Sequence, residues 1–392
     1  MWWNGSQGDE RRMISATEVA ALPVRNVAGL MTGTSMDGLD VALCRITSAP
    51  LGFELLAFET VPMPADLRRS LAAEQLVDVG AIARANMVLG RYFADALADV
   101  LVRHPVALHL IGSHGQTVYH EHGVTTLQLG EPAPLAARFG CPVVHDFRAN
   151  DIVAGGSGAP LVPYVDWRLL AGRGEALLAV NIGGIANLTA LPASGRPDQV
   201  LGMDCGPGNM VLDQLVDTYS GGSQSLDIDG RLAARGRPLP LLDELAQHPF
   251  FHLPPPKSAG REQFGRTFVK SLLDRARPDS EQAWCDLLAT ATELTAYGIE
   301  SAYRRHVAPT VPVDAVVVSG GGARNPALMA RLAARFAPIP VRRSDDYGLP
   351  IDTKEAIAFA ILASERIDRR PANVPSVTGA ARCTILGKIT EF

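Results

Sequence analysis

The chain has few cysteines, and they lie far apart. Its 392 residues include five cysteines, and no two of them form a C-x-x-C pair. They are Cys44, Cys141, Cys205, Cys285 and Cys383. Sparse, unclustered cysteines argue against a disulfide scaffold or a structural zinc site and are typical of a reducing compartment. We therefore expect a cytoplasmic protein.

Long hydrophobic runs are also missing. No stretch approaches the length of about 18 uninterrupted apolar residues that a membrane-spanning helix needs. The N-terminal sequence MWWNGSQGDERRM carries charges where a signal peptide needs its apolar core. We expect no membrane partner, and we predict that residues 1–24 form a disordered extension.

A surplus of basic residues is absent too. The chain has 36 Lys and Arg against 41 Asp and Glu, which gives a net charge of −5. This balance argues against nucleic acid as a partner, so any site for an anionic ligand must be built locally. A hydrophobic content of 47% with 20% charged residues is ordinary for a soluble globular enzyme, and the length predicts two domains.

Strand and helix patterns alternate twice along the chain, and each round opens with a glycine-containing hairpin. The first round starts with β-like runs in residues 27–61, which predict a meander of strands, and a helical pattern follows at 78–104. The second round starts at 176–191. This order predicts the α/β class, with two similar domains around a central cleft. The predicted domains are 25–148, with about 365–392 packing on it, and 149–364.

The stretch AGLMTGTSMDGLDVAL, residues 28–43, is the first of these hairpins. Gly33 and Gly38 allow turn conformations that other residues resist, and the hydroxyl groups between them are hydrogen-bond donors, so the turn can point N–H groups at a phosphate. Asp37 and Asp40 can order a magnesium ion or its waters. The stretch matches neither a Walker A loop nor a dinucleotide fingerprint. On composition alone, a plain hairpin remains the alternative.

Two further glycine turns favour the phosphate interpretation. NIGGIANLT at 181–189 is a second hairpin, and VVVSGGGARNPAL at 316–328 leads from a strand into a helix. Consecutive glycines let a phosphate or a flat ring approach the backbone closely. Three such turns over two rounds of α/β pattern resemble the two phosphate hairpins and the adenosine turn of the sugar kinase, Hsp70 and actin superfamily. That resemblance implies two ribonuclease-H-like domains.

Within that superfamily, the order and spacing of eight motifs are similar to the anhydro-N-acetylmuramic acid kinase family. The motifs are GLMTGTSMDGLDVAL, GSHGQTVYH, DFRANDIVAGGSGAPLVPYVDW, NIGGIANLT, DCGPGN, PPKSAGREQFG, SGGGARNPAL and KEAIAFAILA. The resemblance implies a cytoplasmic homodimer that uses ATP, Mg²⁺ and water to open the 1,6-anhydro ring of 1,6-anhydro-N-acetylmuramic acid. Phosphorylation at O6 would then give N-acetylmuramic acid 6-phosphate in peptidoglycan recycling.

The chain departs from the family pattern in three places, none of which removes a carboxylate. Cys205 and Ala259 each stand where threonine is usual, and the extension before Val27 is long. The resemblance implies nucleotide contacts in all three glycine turns, with Asp37 as a Mg²⁺ ligand, directly or through water. The implied contacts are Gly33, Thr34, Ser35, Met36, Asp37, Gly38, Leu39, Asp40, Asn181, Gly183, Gly184, Gly320, Gly321, Gly322 and Asn325.

Ring opening by water resembles an inverting glycoside hydrolysis, which normally needs two carboxylates. Here O6 is itself the leaving oxygen, and if it takes the phosphoryl group, one general base suffices. Asp204 is the candidate base because it ends an apolar strand and precedes a glycine turn; the alternative is a structural turn residue. Glu355 is the second catalytic candidate, with a capping box with Asp352 as the alternative.

Five residues are predicted to bind the sugar. Arg148 suits the lactyl carboxylate of a muramic sugar because guanidinium pairs with carboxylate through two hydrogen bonds, and a surface ion pair is the alternative. His114 and Gln116 offer neutral hydrogen bonds to hydroxyl groups, and a turn residue satisfied within the protein is the alternative for His114. The resemblance adds Gly206 and Asn209.

Other functions remain open at this point. A kinase for another sugar, or an ATPase without a sugar acceptor, would have the same glycine turns. A sugar-sensing regulator on the same fold would need a DNA-binding appendage, and the N-terminal extension is too short and too weakly basic for a helix-turn-helix.

Overall fold

The computed structural model describes residues 13–33, 36, 38–48, 51–71 and 75–392. The strands are β1 (Val24–Met31), β2 (Gly38–Ser48), β3 (Leu51–Pro62), β4 (Leu110–Ser113), β5 (Gln116–Glu121), β6 (Thr125–Leu129), β7 (Val143–His145), β8 (Leu177–Ile182), β9 (Ile185–Leu191), β10 (Leu201–Pro207), β11 (Ala315–Ser319), β12 (Val341–Arg343) and β13 (Lys388–Thr390).

The α-helices are α1 (Ala16–Ala21), α2 (Ala65–Ser70), α3 (Val79–Arg103), α4 (Ala133–Phe139), α5 (Ala149–Val153), α6 (Val162–Leu170), α7 (Asn209–Ser220), α8 (Arg231–Arg235), α9 (Leu241–Leu245), α10 (Arg261–Phe264), α11 (Arg266–Ala276), α12 (Glu281–Ala302), α13 (Pro326–Phe336), α14 (Lys354–Ile367) and α15 (Pro375–Thr378). The predicted meander in residues 27–61 is confirmed, as is the helical pattern at 78–104.

The chain forms two compact units. The first contains the described residues up to 159 together with 355–373 and 381–392, and the second contains 160–354 and 374–380. The boundaries differ from those predicted at 148 and 364. Segment 149–159 belongs to the first unit because Asp151 accepts a hydrogen bond from Asn373 at 2.8 Å, and the backbone of Ala154 accepts one from Ala381 at 2.8 Å.

Both units contain a sheet with the same strand order. In the first, the order is β13-β7-β4-β1-β2-β3, and in the second it is β10-β9-β8-β11-β12. The three consecutive strands of each sheet pair antiparallel, and the two strands that follow run parallel to the first of them. This repeated arrangement confirms the predicted α/β class with two ribonuclease-H-like, actin- and sugar-kinase-like domains. The first sheet has one further strand, β13, which pairs antiparallel with β7.

The first unit is packed tightly around α14. A Cβ at Gly29 of β1 would lie 1.9 Å from the carbonyl oxygen of Ala356, and one at Gly112 of β4 would lie 2.1 Å from that of Phe359. Because only glycine allows a helix backbone to approach strands this closely, the apolar run of α14 lies directly on the sheet. In the second unit, α12 and α13 contribute side chains to the core of the sheet.

The N-terminal extension is partly ordered. Ser15 and Glu18 form a capping box at the start of α1, with Ser15 Oγ accepting from the backbone of Glu18 at 3.2 Å. Arg25, only 1% exposed, donates to two carbonyl oxygens of α1 at 3.0 and 3.1 Å. The predicted disorder is therefore wrong for residues 13–24, because the helix satisfies a buried guanidinium. The earlier part of the predicted extension lies outside the described residues.

The helices of the described segments are either too short or too polar to cross a membrane.

Candidate functional site

Asp204 lies at a β-bulge in the second unit. In the pairing of β10 with β9, Asp204 is opposite Asn187 and Gly206 is opposite Ala186, so Cys205 is the extra residue. Gly206 has φ +135°, a conformation that L side chains rarely adopt. The prediction that the strand ends at Asp204 is wrong, because the bulge lets β10 continue to Pro207. The bulge places the half-buried carboxylate at an irregular point of the strand.

The segment 257–259 holds Asp204 through main-chain groups. The backbone N–H of Ala259 donates to Asp204 Oδ2 at 2.8 Å, and the backbone N–H of Asp204 donates to the carbonyl oxygen of Lys257 at 3.3 Å. Burial raises the pKa of Asp204 to about 6, against the Ala259 hydrogen bond and the Lys257 charge, which lower it, while Glu262 raises it. A carboxyl group of this pKa is ionised at neutral pH and is more basic than an ordinary aspartate, as a general base requires.

Gly206 and Asn209, which were predicted to bind substrate, both have roles inside the second unit. A Cβ at Gly206 would lie 2.7 Å from the ring of Phe251, so the fold itself requires glycine there. Asn209 Nδ2 donates to the carbonyl oxygen of Ile182 at 3.3 Å. Substrate contact by these two residues stays a prediction.

The turn between β8 and β9 is held by the start of α7. The backbone N–H of Asn209 donates to the carbonyl oxygen of Gly183 at 2.8 Å, and those of Gly208 and Met210 donate to Gly184 at 2.9 and 3.1 Å. These bonds satisfy N–H groups that begin a helix and would otherwise need other partners. The helix start and the hairpin turn therefore form one rigid piece.

The predicted nucleotide glycines of the second unit fall into two groups. A Cβ at Gly183, Gly184 or Gly321 would meet only ordinary contacts of 3.4 Å or more. In contrast, Gly320 has φ +79° with atoms at 2.7 Å, and a Cβ at Gly322 would lie 2.4 Å from Ile182. The fold therefore requires glycine at 320 and 322, whereas the backbone at 183, 184 and 321 is open to a ligand.

A buried polar chain, most of which was not predicted from the sequence, lies beside these turns. Ser319 Oγ donates to the carbonyl oxygen of Val180 at 3.2 Å and is 3.3 Å from Asn181 Oδ1. Lys354 Nζ lies 3.4 Å from Ser319 Oγ and 2.7 Å from Asp166 Oδ1. The ends of β8 and β11 are thus tied to a buried ion pair. The sequence feature that could have indicated this ion pair is the aspartate inside the apolar run PYVDWRLL.

Asn325, another predicted nucleotide contact, caps a helix. Its side-chain oxygen accepts from the backbone N–H of Leu328 at 3.1 Å at the start of α13. Asparagine is a favoured residue at this position because its oxygen satisfies a free helix N–H group. A nucleotide contact by Asn325 stays a prediction.

In the first unit, Arg148 is held by His114. The guanidinium Nε and a terminal nitrogen of Arg148 lie 3.1 and 2.8 Å from His114 Nε2, and the other terminal nitrogen donates to the carbonyl oxygen of Gly158 at 2.8 Å. Burial lowers the pKa of Arg148 to about 10, against the charges of Glu355 and Asp151, which raise it. Arg148 therefore remains a cation at neutral pH.

His114 is neutral and fully engaged, which changes its predicted role. Burial and the Arg148 charge hold the His114 pKa well below its usual range. Because Nε2 accepts from Arg148, Nδ1 carries the proton and donates to the carbonyl oxygen of Gly115 at 2.8 Å. The ring also packs on Phe359, with centroids 4.5 Å apart. With both nitrogens occupied within the protein, His114 positions Arg148 rather than presenting a free group to a sugar.

Two buried polar atoms beside this pair have no hydrogen-bond partner among the described residues. They are Gln116 Oε1 and Ser113 Oγ. Gln116 is 2% exposed and uses only its Nε2, which donates to the carbonyl oxygen of Thr117 at 3.3 Å. Unsatisfied buried polar atoms are costly, so a bound molecule that satisfied them would be favoured. Sequence reasoning missed Ser113, although it directly precedes His114.

Glu355 lies half-buried in the first turn of α14, and its charge acts on Arg148. Asp352, which would form the alternative capping box with it, instead pairs with Arg324. The charge of Glu355 therefore acts on the same guanidinium that His114 positions.

The first glycine hairpin is described only in part. Thr34, Ser35 and Asp37 lie outside the described residues. Met36 has φ +55°, and its N–H donates to the carbonyl oxygen of Gly33 at 3.2 Å, which closes a turn.

The remaining predicted contacts of this hairpin belong to β2, where they pair with β3. A Cβ at Gly38 would lie 2.8 Å from Thr60, the Leu39 side chain is fully buried in the core, and Asp40 accepts from Thr60 Oγ1 at 2.6 Å. The Leu39 side chain therefore has a core role, because strand alternation turns it inward.

No group of three or more His, Cys, Asp or Glu side chains within the described ranges is arranged to hold a metal ion.

The chain is similar to known kinases over nearly its whole length. A family model described as anhydro-N-acetylmuramic acid kinase matches residues 25–391. The anhydro-N-acetylmuramic acid kinase of Caldanaerobacter subterraneus subsp. tengcongensis is 41% identical over 386 residues, which are 93% of this chain and 97% of that protein. The corresponding kinase of Salinibacter ruber is 42% identical over 384 residues, 93% of this chain and 96% of that protein.

Among solved structures, a ROK family glucokinase from Streptomyces griseus in complex with glucose and AMPPNP has a TM-score of 0.39 at 14% identity, covering 87% of this chain and 99% of that chain. The match of the family model and the two relatives decides the classification, and it confirms the resemblance drawn from the eight motifs. The chain is a kinase and belongs to the anhydro-N-acetylmuramic acid kinase family.

Proposed function

We propose that the protein uses ATP, Mg²⁺ and water to convert 1,6-anhydro-N-acetylmuramic acid into N-acetylmuramic acid 6-phosphate, a step of peptidoglycan recycling. Membership of the family supports the reaction. The observation that carries the assignment of residues is the Asp204 carboxylate, held at a bulge by the Ala259 N–H, with a pKa raised by burial to about 6.

Asp204 acts as the general base in this proposal. The oxygen of water attacks C1 of the sugar while the C1–O6 bond breaks, and the proton of the water passes to Asp204. O6 bonds to the γ-phosphorus of ATP, and ADP leaves. The phosphoryl group takes the place of the acid that normally protonates a leaving oxygen, so one carboxylate is sufficient.

The sugar-binding groups of the first unit centre on Arg148. Its cation pairs with the lactyl carboxylate of the sugar, and His114 fixes the orientation of the guanidinium. Gln116 Oε1 and Ser113 Oγ, buried without partners among the described residues, hydrogen-bond to sugar hydroxyl groups. Glu355 is the second carboxylate, which orients the sugar or the attacking water.

The nucleotide is held by backbone at the glycine turns. Gly183, Gly184 and Gly321 are the positions of the second unit where the fold leaves the backbone open, and this supports close approach of phosphate or adenosine. Mg²⁺ would neutralise phosphate charge, and Asp37 is the residue we assign to it, directly or through water.

Product analysis in labelled water tests the reaction. We expect ATP consumption to depend on 1,6-anhydro-N-acetylmuramic acid and the product to carry labelled oxygen at C1. ATP turnover independent of the sugar would instead identify an ATPase. Turnover only with a different sugar would identify another sugar kinase, and sequence-specific DNA retention without turnover would identify a regulator.

We also propose that the protein works as a homodimer in the cytoplasm. All five cysteines are free, and four of them are buried, which suits a reducing compartment. The dimer rests on the family resemblance alone. Sedimentation of the purified chain tests it: a mass of twice 41.7 kDa is expected, and a single-chain mass at micromolar concentration would contradict it.

A further inference from the structure

Lys257 is a buried cation beside the proposed base. Its side chain is 9% exposed, and its ammonium donates to the carbonyl oxygen of Phe250 at 3.3 Å and lies 4.7 Å from the centre of the Phe250 ring. Within the described part of the chain, Lys257 forms no ion pair with a carboxylate within 4.0 Å. A buried ammonium is costly unless nearby negative charge compensates it.

Asp204 is the carboxylate that the segment containing Lys257 holds, and it carries negative charge of this kind. The backbone of Lys257 is bonded to the backbone of Asp204, and two residues later the Ala259 N–H is bonded to the Asp204 carboxylate. The Lys257 charge and the Asp204 charge also act on each other. One short segment therefore donates an N–H group to the Asp204 carboxylate and carries a cation whose charge acts on it.

We propose that Lys257 is a positioning residue for the phosphoryl-transfer reaction, whose ammonium keeps the Asp204 carboxylate ionised and therefore able to accept a proton. The inference deepens the proposed function and rests on it. Lys257 transfers no proton and contacts no reacting atom in this account. Its role is electrostatic, in addition to the hydrogen bonds by which its segment holds Asp204.

The other charged groups around this pair do not duplicate that role. Glu262 acts on Asp204 with the opposite sign. Cys205 is neutral at neutral pH because burial raises the pKa of its thiol. Arg305 acts on Lys257 as a further positive group; it is exposed, and its Nε donates to Ser301 Oγ at 3.1 Å. His306 is neutral at neutral pH, because burial and the charges of Lys257 and Arg305 lower its pKa.

The test replaces the cation and follows Asp204 directly. In the full-length protein, Lys257→Gln retains a donor for the Phe250 carbonyl, Lys257→Met removes it, and Lys257→Arg keeps the charge. Arg305→Met is the matched control, because it removes one positive charge from the same neighbourhood. Carboxyl ¹³C NMR of aspartate-labelled protein, with the signal assigned by Asp204→Asn, gives the titration midpoint without catalysis.

We expect Lys257→Gln and Lys257→Met to raise the Asp204 midpoint by about one pH unit, because loss of a nearby opposite charge favours the protonated acid. The acid limb of kcat/KM against pH should move by the same amount. Lys257→Arg and Arg305→Met should leave the Asp204 midpoint and the acid limb of kcat/KM unchanged. Either of the first two variants is sufficient if the other does not fold.

An unmoved Asp204 midpoint in a folded Lys257→Gln or Lys257→Met protein would overturn the inference. An equal shift in Arg305→Met would also overturn it, because the effect would then be one of general charge. A moved midpoint with an unmoved acid limb would support the electrostatic coupling and would instead contradict Asp204 as the base.

Discussion

The two units share one strand order, but one holds a cation with hydrogen-bond acceptors and the other holds an anion with a hydrogen-bond donor. In the first, the Arg148 cation is held by acceptors, namely the neutral ring of His114 and the carbonyl oxygen of Gly158. In the second, the Asp204 anion is held by a donor, the N–H of Ala259. The strand order decides where a functional residue lies, and local hydrogen bonding decides which charge the site can hold.

The two functional side chains also lie in different kinds of local structure. The second sheet carries its functional carboxylate on a bulge of β10, whereas the first presents Arg148 just before the short helix α5. The bulge needs Gly206 and the packing of Phe251, so the carboxylate depends on the core behind it. The guanidinium depends on the His114 side chain and the carbonyl oxygen of Gly158. Substitution of Asp204 should therefore lower the catalytic rate, whereas substitution of Arg148 should lower the affinity for the sugar.

The largest effect is expected from Asp204→Asn. Loss of a general base should lower kcat by about 10³-fold for ring opening and phosphorylation together, while ATP still binds. In the unaltered protein, activity should rise as pH increases through about 6, because the ionised carboxylate is the active form. Rate assays and equilibrium nucleotide binding measure the two parts.

Asp213→Asn is the matched control for Asp204→Asn. Burial also raises the pKa of Asp213, to about 7, yet we assign Asp213 no part in the reaction. Its replacement should leave kcat and the acid limb unchanged. Nearly normal turnover in Asp204→Asn, or loss of turnover in Asp213→Asn, would contradict the assignment of the base.

An intermediate effect is expected from Arg148→Met. Losing a charged hydrogen-bonding partner should raise KM for the anhydro sugar about 10- to 100-fold, with KM for ATP unchanged. Arg148→Lys should recover little, because lysine lacks the planar fork of donors. His114→Gln keeps an acceptor for Arg148, so its effect should be smaller. Steady-state kinetics with each substrate varied separates these cases, and an unchanged sugar KM in Arg148→Met would exclude the proposed contact.

The smallest effect on turnover is expected from replacing either of two glycines of the second unit, Gly322 and Gly184, by alanine. A Cβ at Gly322 would clash with Ile182, so Gly322→Ala should lower Tm. A Cβ at Gly184 would lie 3.4 Å from Met210, so Gly184→Ala should keep Tm and raise KM for ATP several-fold. Thermal unfolding and ATP kinetics on both variants measure this. Equal losses of Tm would show that Gly184 serves the fold alone.

Local sequence pattern was sufficient for most of the fold. Apolar alternation and periodicity predicted the meander of β1 to β3, the β8–β9 hairpin and the long helix α3, since these features depend on neighbours in the chain. The same alternation would have placed Leu39 in the core. The first turn of α1 carried the signal S-x-x-E, which predicts an ordered helix start.

The site was less accessible to prediction because its contacts join distant segments. His114 and Arg148 are 34 residues apart, and nothing local indicates that one holds the other. The bulge at Asp204 depends on the register of β10 against β9, which a single strand does not specify. The ion pair of Lys354 with Asp166 likewise appears only after folding. The motifs identified the residue types, and the tertiary structure decided which of them have partners within the protein.

The ordering of α1 matters for anyone who produces this protein. The family model matches the chain from residue 25, which invites removal of everything before it. Such a truncated protein would keep the Ser364 and Asp368 partners of Arg25 but would lose the two carbonyl acceptors that α1 provides. An unsatisfied buried donor costs about 1–3 kcal/mol. The stable folding unit therefore starts upstream of the segment that the family model matches, and a fragment for crystallisation or assay should begin before Ser15.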